Sequence, residues 1–272
     1  MHPAPDQPGA ARPEVRDAAT VMLVRDGDDG LEVFMQRRNL RAAFVAGAYV
    51  FPGGALDEFD RDPDLEAWCD GLDALDANSR MGVASHGLSY WVAAIRECFE
   101  EAGVLLAYDA SGTLISFAEA ATAARFEQYR TQVTNGTLAL IELCRREELR
   151  LATRAMHYFS HWITPIGPPR RFDTRFFVCG APASQVGSHD DGEAIASTWI
   201  RPKGALDACA RGELEMILPT IKNLESLARF TTAAELLDAA AQIGDVPTIL
   251  PKLAPPGESP HSNGQASLPA RR

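Results

Sequence analysis

The sequence predicts an α+β fold in which helices lie on both faces of a mixed β-sheet, an α/β/α sandwich. Two β-rich runs, residues 19–25 and 31–38, flank the turn sequence RDGDDG, which is typical of a β-hairpin. Strand patterns come first, and helical patterns are then interspersed with further strands. This order differs from the regular strand–helix alternation of a parallel βαβ fold.

The remaining elements follow in chain order. Residues 48–51 form a third short strand before the turn residues PGG, and residues 88–102 form a helix that Gly103 can end. Two helical patterns surround TNGT within residues 113–150. Residues 172–179 and 194–200 are strand patterns, and residues 202–241 are helical with breaks near Gly212 and Pro219. We expect extra helices from about 113 to 160 and from 202 to 241.

Both ends of the chain have compositions typical of disordered segments. Residues 1–16 are polar and Pro-rich without the apolar segment of a signal peptide, and residues 246–272 are rich in Pro, Gly and Ser. One domain is therefore expected over residues 17–245. The five cysteines are spaced singly, with no CxxC pair, and no apolar run is long enough to span a membrane. These features indicate a cytoplasmic protein.

The charge of the chain restricts its partners. The formal net charge is −11 and the isoelectric point is about 5.0. A broad surface for nucleic acid or an anionic membrane needs a net basic footprint, so we expect neither partner. A small anionic substrate remains compatible, because a few arginines or bound cations can meet it.

The predicted helix over residues 88–102 carries three acids close together. On a helical wheel, Glu101 lies about 40° from Glu97 and Glu100 about 60° on the other side, so the three share one arc. The apolar residues of the helix lie opposite and would face a core. The acids are expected to point away from that core, on an exposed face.

A solvated acidic face is the ordinary explanation for such a cluster, and a metal site is the other. Like charges at these spacings repel, and only Arg96 offsets them locally. The acids also lie in the C-terminal half of the helix, where the macrodipole disfavours negative charge. A divalent cation would reverse both penalties, and carboxylate oxygens suit Mg²⁺ or Mn²⁺.

The residues Arg96 to Val104, RECFEEAGV, resemble the second half of a Nudix box. Gly54, five further residues and Asp60 are similar to the first half, with Asp where the family usually has Glu. Residues 61–95 separate the two halves, far more than in the compact motif. The insertion, residues 61–87, is acidic and turn-rich, and we expect it to loop out at the surface at modest entropic cost.

A split box is also found in the coenzyme A diphosphatase branch of the Nudix hydrolases, the peroxisomal type-nineteen-like proteins and their bacterial relatives. Residues 37–60 and 161–178 are similar to segments of that branch. The resemblance implies a Nudix fold with extra helical insertions.

The resemblance also implies roles for the residues of the motif. Glu97, Glu100 and Glu101 would bind Mg²⁺ or Mn²⁺, Arg96 would orient a carboxylate, and the Gly54 carbonyl would face the metal. The general base would be Glu97 or a later acid, Glu193, which precedes a predicted strand.

Arginines outside the motif are the predicted contacts to the substrate. Arg171 and Arg175 alternate onto one face of a predicted strand, and Arg37 lies in the hairpin. Guanidinium groups match phosphate geometry, so these three are predicted phosphate ligands. A solvated strand face is the alternative for them.

The predicted function is therefore metal-dependent hydrolysis of the diphosphate in a nucleoside diphosphate derivative, with coenzyme A or acyl-coenzyme A as the expected substrate. ADP-ribose or NADH is the alternative substrate, and a catalytically silent nucleotide sensor is the alternative function. The expected partner is the nucleotide substrate, and a homodimer is compatible with the sequence.

Overall fold

The computed structural model describes residues 14–39, 47–185 and 194–252. The predicted hairpin is confirmed: β1 (Val15–Gly27) pairs antiparallel with β2 (Gly30–Arg38), with Gly27 opposite Gly30. Gly30 has φ 109°, a conformation that a glycine adopts without strain. β1 begins two residues before the predicted start of the domain.

The strands form one mixed sheet and a small ribbon. Their bounds are β3 (Tyr49–Val50), β4 (Gly53–Ala55), β5 (Ala107–Tyr108), β6 (Arg150–Leu151), β7 (His157–Ile163), β8 (Arg171–Gly180), β9 (Ala194–Ile200) and β10 (Thr248–Ile249). The order in the main sheet is β10-β7-β8-β1-β2-β3, with β4 also paired to β1 and β9 to β2. The β1–β8 and β7–β10 pairs are parallel and the other pairs antiparallel, whereas β5 and β6 pair only with each other.

Seven α-helices lie in the described ranges. Their bounds are α1 (Ala74–Met81), α2 (Leu88–Ala102), α3 (Ala120–Thr134), α4 (Leu140–Glu147), α5 (Pro202–Ala210), α6 (Leu218–Leu227) and α7 (Ala233–Ala241). The predicted bounds of α2 and the break near Gly212, between α5 and α6, are confirmed. The predicted break near Pro219 is wrong, because this proline lies in the first turn of α6, where a proline is tolerated; the break between α6 and α7 was not predicted. The expected helix up to residue 160 is wrong at its end, because the aromatic run of β7 pairs with β8 instead. None of the described helices is long and apolar enough to cross a membrane.

Alternation along β1 divides the core into two layers. Val21 and Leu23 belong to the apolar cluster beneath α2, whereas Met22 and Val24 belong to the cluster beneath α5, α6 and α7. Helices therefore cover both faces of the sheet, which confirms the predicted α/β/α sandwich.

The insertion between the two halves of the motif is folded, so the expectation of a looped-out surface segment is wrong. It contains the 3-10 helix Leu65–Trp68 and α1, which Asp73 caps by accepting a hydrogen bond from the Asp76 amide. Apolar residues spaced through its acidic sequence join the cluster around α2 and are fully buried; they are Leu65, Cys69, Leu72, Ala77 and Met81.

Candidate active site

Helix α2 places the acidic cluster, and its position is fixed at both ends. The Trp91 indole donates to the Met156 carbonyl at 3.1 Å near the start of the helix. Gly103 ends the helix in a left-handed conformation, φ 66°, and its amide bonds to the Phe99 carbonyl at 3.0 Å. The three acids thus lie in the last two turns of a rigid element.

The acids are not on an exposed face, which corrects the expectation from the helical wheel. Glu97 is 8% exposed and Glu101 4%, and only Glu100 in this group is partly open to solvent. The reason is that β4 crosses over α2 at these residues. A wheel shows the angle of a side chain but not what covers it.

Glu101 is fixed by the strand above it. One carboxylate oxygen, Oε2, accepts the Gly53 backbone N–H at 2.8 Å and a hydrogen bond from the Gln36 side-chain amide. Charge-assisted bonds of this kind are stronger than neutral ones. The orientation of Glu101 is therefore set by two donors on one oxygen.

Glu97 lies against the next residue of the same strand. A Cβ added to Gly54 would be 2.4 Å from Glu97 Oε1, closer than atoms can approach. Gly54 itself pairs with Ala19 of β1. Gly54 thus allows the backbone of β4 to pass directly over Glu97, whereas Gly53 allows it to approach β1 at Ala19 and Thr20. The metal role of the Gly54 carbonyl stays a prediction.

Arg96 links the two halves of the motif. Its Nε and Nη2 donate to the two carboxylate oxygens of Asp60 at 3.0 and 2.9 Å, and Nη2 also donates to the Ala55 carbonyl at 3.0 Å. Its Nη1 donates to Glu97 at 2.9 Å and to Glu100 at 3.2 Å. Asp60 is 1% exposed, so this ion pair is buried. The Asp that departs from the family pattern still anchors the arginine.

Among the described side chains of this cluster, carboxylates outnumber arginines. Arg96 faces four carboxylates, because Asp57 also lies 3.5 Å from its Nε, and Glu101 is a fifth acid nearby. Burial raises the pKa of Glu97 to about 8, and the neighbouring Glu100 adds to the rise while Arg96 opposes it. The cluster therefore favours an added positive charge.

The stability of the metal-free protein is expected to fall as the pH rises from about 4.5 to about 8, the unfolded and folded pKa values of Glu97. In that window the folded state binds more protons than the unfolded state, so the free energy of unfolding decreases with pH. The contribution is at most about 1.4 kcal/mol per pH unit. Glu97→Gln removes this group, and denaturant unfolding in EDTA at several pH values checks it. If the free energies of unfolding of wild type and Glu97→Gln differ by the same amount at every pH, the raised pKa of Glu97 is contradicted.

A family comparison decides the class of the site. The family model described as the NUDT19 Nudix domain matches residues 76–227. The chain belongs to the NUDT19 Nudix domain family. This confirms the predicted family, its split-box branch and the class of enzyme, a Nudix hydrolase acting on phosphorus-containing anhydrides.

Curated relatives and a solved structure agree with that assignment. The chain is 26% identical over 264 residues to "Acyl-coenzyme A diphosphatase NUDT19" of Gallus gallus, covering 81% of this chain and 70% of that protein. For the Homo sapiens protein of the same name, identity is 26% over 240 residues, covering 76% of this chain and 63% of that one, less than two thirds of its length. A NUDIX hydrolase from Alicyclobacillus acidocaldarius superposes with a TM-score of 0.69 at 26% identity, covering 84% of this chain and 97% of that chain.

The Nudix acids fit an oxygen-preferring divalent cation. Buried carboxylates with too little positive charge form a hard donor set suited to Mg²⁺ or Mn²⁺. The Oε1 atom of Gln36 is also buried beside Glu101 without a hydrogen-bond partner among the described residues. Within those residues no three His, Cys, Asp or Glu side chains are gathered around a single point. Arg96 pairs with Glu97 and Glu100 instead, whereas Glu101 bonds to Gly53.

The predicted substrate arginines contact groups other than the Nudix acids in the described part of the chain. Arg37 follows Gln36 in β2, so it lies on the opposite face of the sheet, and its Nε donates to the Gly47 carbonyl at 3.1 Å. The Nε of Arg171 donates to the Thr164 carbonyl at 3.0 Å and braces the β7–β8 connection. Their roles toward a phosphate stay predictions.

Arg175 is buried in a polar cluster near the start of α2. Its Nη1 pairs with Asp173 at 2.6 Å and its guanidinium lies 4.3 Å from the centroid of the Tyr90 ring. Tyr90 precedes Glu97 by seven residues, which is about 10 Å along a helix. Arg171 and Arg175 share one strand as predicted, and Arg175 pairs with Ala19 of β1, which pairs in turn with Gly54. Glu193, the alternative base, lies outside the described residues.

Two polar residues of the site were missed from the sequence. Arg130 of α3 is buried and donates to the last carbonyls of α2, at 2.9 Å to Glu100 O and 3.2 Å to Glu101 O. A cation there offsets the negative end of the helix dipole on which the acids sit. Nothing local in the sequence points to this contact. Gln36 did leave a signal, because it shares a strand face with the buried Phe34.

Proposed function

We propose that this chain is a divalent-metal-dependent diphosphatase that cleaves the diphosphate linkage of coenzyme A or acyl-coenzyme A. The observation that carries the proposal is the pair of buried carboxylates, Glu97 and Glu101: Glu101 accepts the Gly53 N–H, and Glu97 lies against Gly54 and accepts from Arg96. The names of the relatives in chicken and human, acyl-coenzyme A diphosphatases, support the substrate.

The reaction adds water across the P–O–P bridge. From coenzyme A it yields adenosine 3′,5′-bisphosphate and 4′-phosphopantetheine, and acyl-coenzyme A gives the acylated second product. When bound, Mg²⁺ or Mn²⁺ neutralises phosphate charge and lowers the pKa of a water molecule. Both ions prefer the oxygen donors that this cluster provides.

Each residue of the cluster has a proposed part. Glu97, Glu100 and Glu101 hold the metal, and Arg96 orients the first two through its Nη1. Glu97 also accepts the proton of the attacking water, and Glu193 is the alternative base. Gly54 leaves room for the Glu97 carboxylate. The cytoplasmic location and the homodimer remain predictions.

A substrate panel tests the proposal. The full chain is incubated with Mg²⁺ or Mn²⁺ and, in parallel, coenzyme A, an acyl-coenzyme A, ADP-ribose, NADH and a deoxynucleoside triphosphate. We expect the highest kcat/KM for the coenzyme A compounds, with adenosine 3′,5′-bisphosphate as the shared product. A higher kcat/KM for ADP-ribose or NADH would show that this compound, and not coenzyme A, is the preferred substrate. Binding of nucleotide without turnover of any compound would favour the silent sensor and contradict the proposal.

Alanine substitutions at the two glycines of β4 should have different effects, one on the hydrolysis rate and the other on the melting temperature. Gly54→Ala places a methyl group against the Glu97 carboxylate, which must move, so the rate should fall by about 10²-fold. Gly53→Ala meets backbone instead, 2.5 Å from the Ala19 carbonyl oxygen and 2.6 Å from Thr20 Cα, so it should lower the melting temperature as β4 separates from β1. Hydrolysis rates and thermal unfolding of both variants check this. A Gly54→Ala enzyme with unchanged kcat contradicts the close approach of Glu97.

A further inference from the structure

We propose that Gln36 is a positioning residue for the Glu101 carboxylate, an inference that rests on the proposed metal site. Gln36 is 2% exposed and follows the buried Phe34 and Met35 in β2. Its Nε2 donates to Glu101 Oε2, the same oxygen that accepts the Gly53 amide. Two donors from two different strands thus set the direction of one carboxylate.

The orientation of the Gln36 amide is determined by its surroundings. Turning it over would place Oε1 against the Glu101 carboxylate, and two acceptors repel each other. The N–H group therefore faces Glu101, and Oε1 faces away from that bond. A glutamine is needed here for its donor, since an apolar residue of the same length would fill the same space.

The second end of the amide has no partner within the described part of the chain. Gln36 Oε1 is buried and accepts no hydrogen bond there. Buried polar atoms are nearly always paired, so an orphaned acceptor beside a carboxylate indicates a missing donor. Gln36 therefore keeps one open acceptor at the end of the amide that does not bond to Glu101, and its positioning role rests on Nε2.

The test measures Mn²⁺ binding to the full chain after metal removal and without substrate, by isothermal titration. Gln36→Met removes both polar ends at equal length and should weaken Mn²⁺ binding about 10- to 100-fold, the effect typical of an outer-shell partner. Met35→Leu is the matched control, because Met35 is fully buried in the same strand but faces the opposite layer. It should bind Mn²⁺ like wild type.

A double-mutant cycle separates positioning from packing. If Gln36 acts through Glu101, the Gln36→Met/Glu101→Gln protein should bind Mn²⁺ no more weakly than Glu101→Gln alone. Losses that add would show that Gln36 acts independently and would overturn the inference. If Gln36→Met does not fold, Gln36→Asn keeps the amide but cannot reach Glu101, and it should show the same loss.

The outcomes distinguish this inference from the proposed function. Wild-type affinity in Gln36→Met or Gln36→Asn, with wild type binding Mn²⁺, overturns the role of Gln36 alone. A wild-type protein that binds no Mn²⁺ overturns the metal site of the proposed function and the inference with it.

Discussion

Replacing Glu101 by Gln is expected to lower kcat for coenzyme A hydrolysis by well over about 100-fold while leaving the protein folded. Outer-shell partners of a metal typically contribute about 10- to 100-fold, and a carboxylate that binds the ion itself should contribute more. The change is isosteric, so the Gly53 N–H can still bond to the amide oxygen. Steady-state kinetics at saturating Mg²⁺, together with circular dichroism, measure the effect.

Glu97→Gln should have a loss of the same order, because Glu97 is the second buried carboxylate of the cluster. Glu225→Gln is the control: it lies on α6 with an exposed ion pair to Lys222 at 2.8 Å, and it should retain wild-type kcat. Wild-type turnover in Glu97→Gln and Glu101→Gln would show that the α2 acids do not bind the catalytic metal.

Asp60→Ala is expected to lower both the free energy of unfolding and kcat. Asp60 is buried and accepts hydrogen bonds from the Nε and Nη2 atoms of Arg96, so its removal leaves a buried guanidinium without its main partner. Breaking a buried ion pair on one side costs about 3–5 kcal/mol. We expect the lower end, about 3 kcal/mol, because Arg96 keeps Glu97 and Glu100. The freed arginine should also misplace these acids and lower kcat by about 10- to 100-fold.

An exposed ion pair in the same insertion provides the comparison. Asp64 pairs with Arg145 at 2.9 Å, but its side chain is 69% exposed. Asp64→Asn should therefore change the free energy of unfolding by less than about 1 kcal/mol. Denaturant unfolding of both variants gives the two values. Equal values for Asp60→Ala and Asp64→Asn would contradict a buried anchor for Arg96.

Local patterns were sufficient for much of the fold. The hairpin follows from its turn sequence, and α2 follows from its apolar stripe and the glycine that ends it. Pairings between distant segments were not readable in this way. The short strand β4 has only three residues, and its pairing with β1 depends on two glycines packing against that strand. The insertion was predicted as a loop because it is acidic and turn-rich, and only a few of its apolar residues are buried in the core.

The site was predictable where its residues are close in sequence. The spacing of Glu97, Glu100 and Glu101 placed them on one arc, and the structure brings Asp60 to Arg96 across the insertion. Burial of the acids was not predictable, because it comes from β4.

The contacts of Gln36 and Arg130 are also long-range, from β2 and α3 to the end of α2. The placement of Arg171 and Arg175 on one strand is confirmed, and their role toward a phosphate stays a prediction.

The account is tested most directly by hydrolysis of coenzyme A with the metal removed and restored. The full chain in EDTA should release no adenosine 3′,5′-bisphosphate, and excess Mg²⁺ or Mn²⁺ should restore its release in wild type but not in Glu101→Gln. Equal product in EDTA, or restored activity in Glu101→Gln, would contradict the claim that the buried acids of α2 hold the metal for diphosphate cleavage.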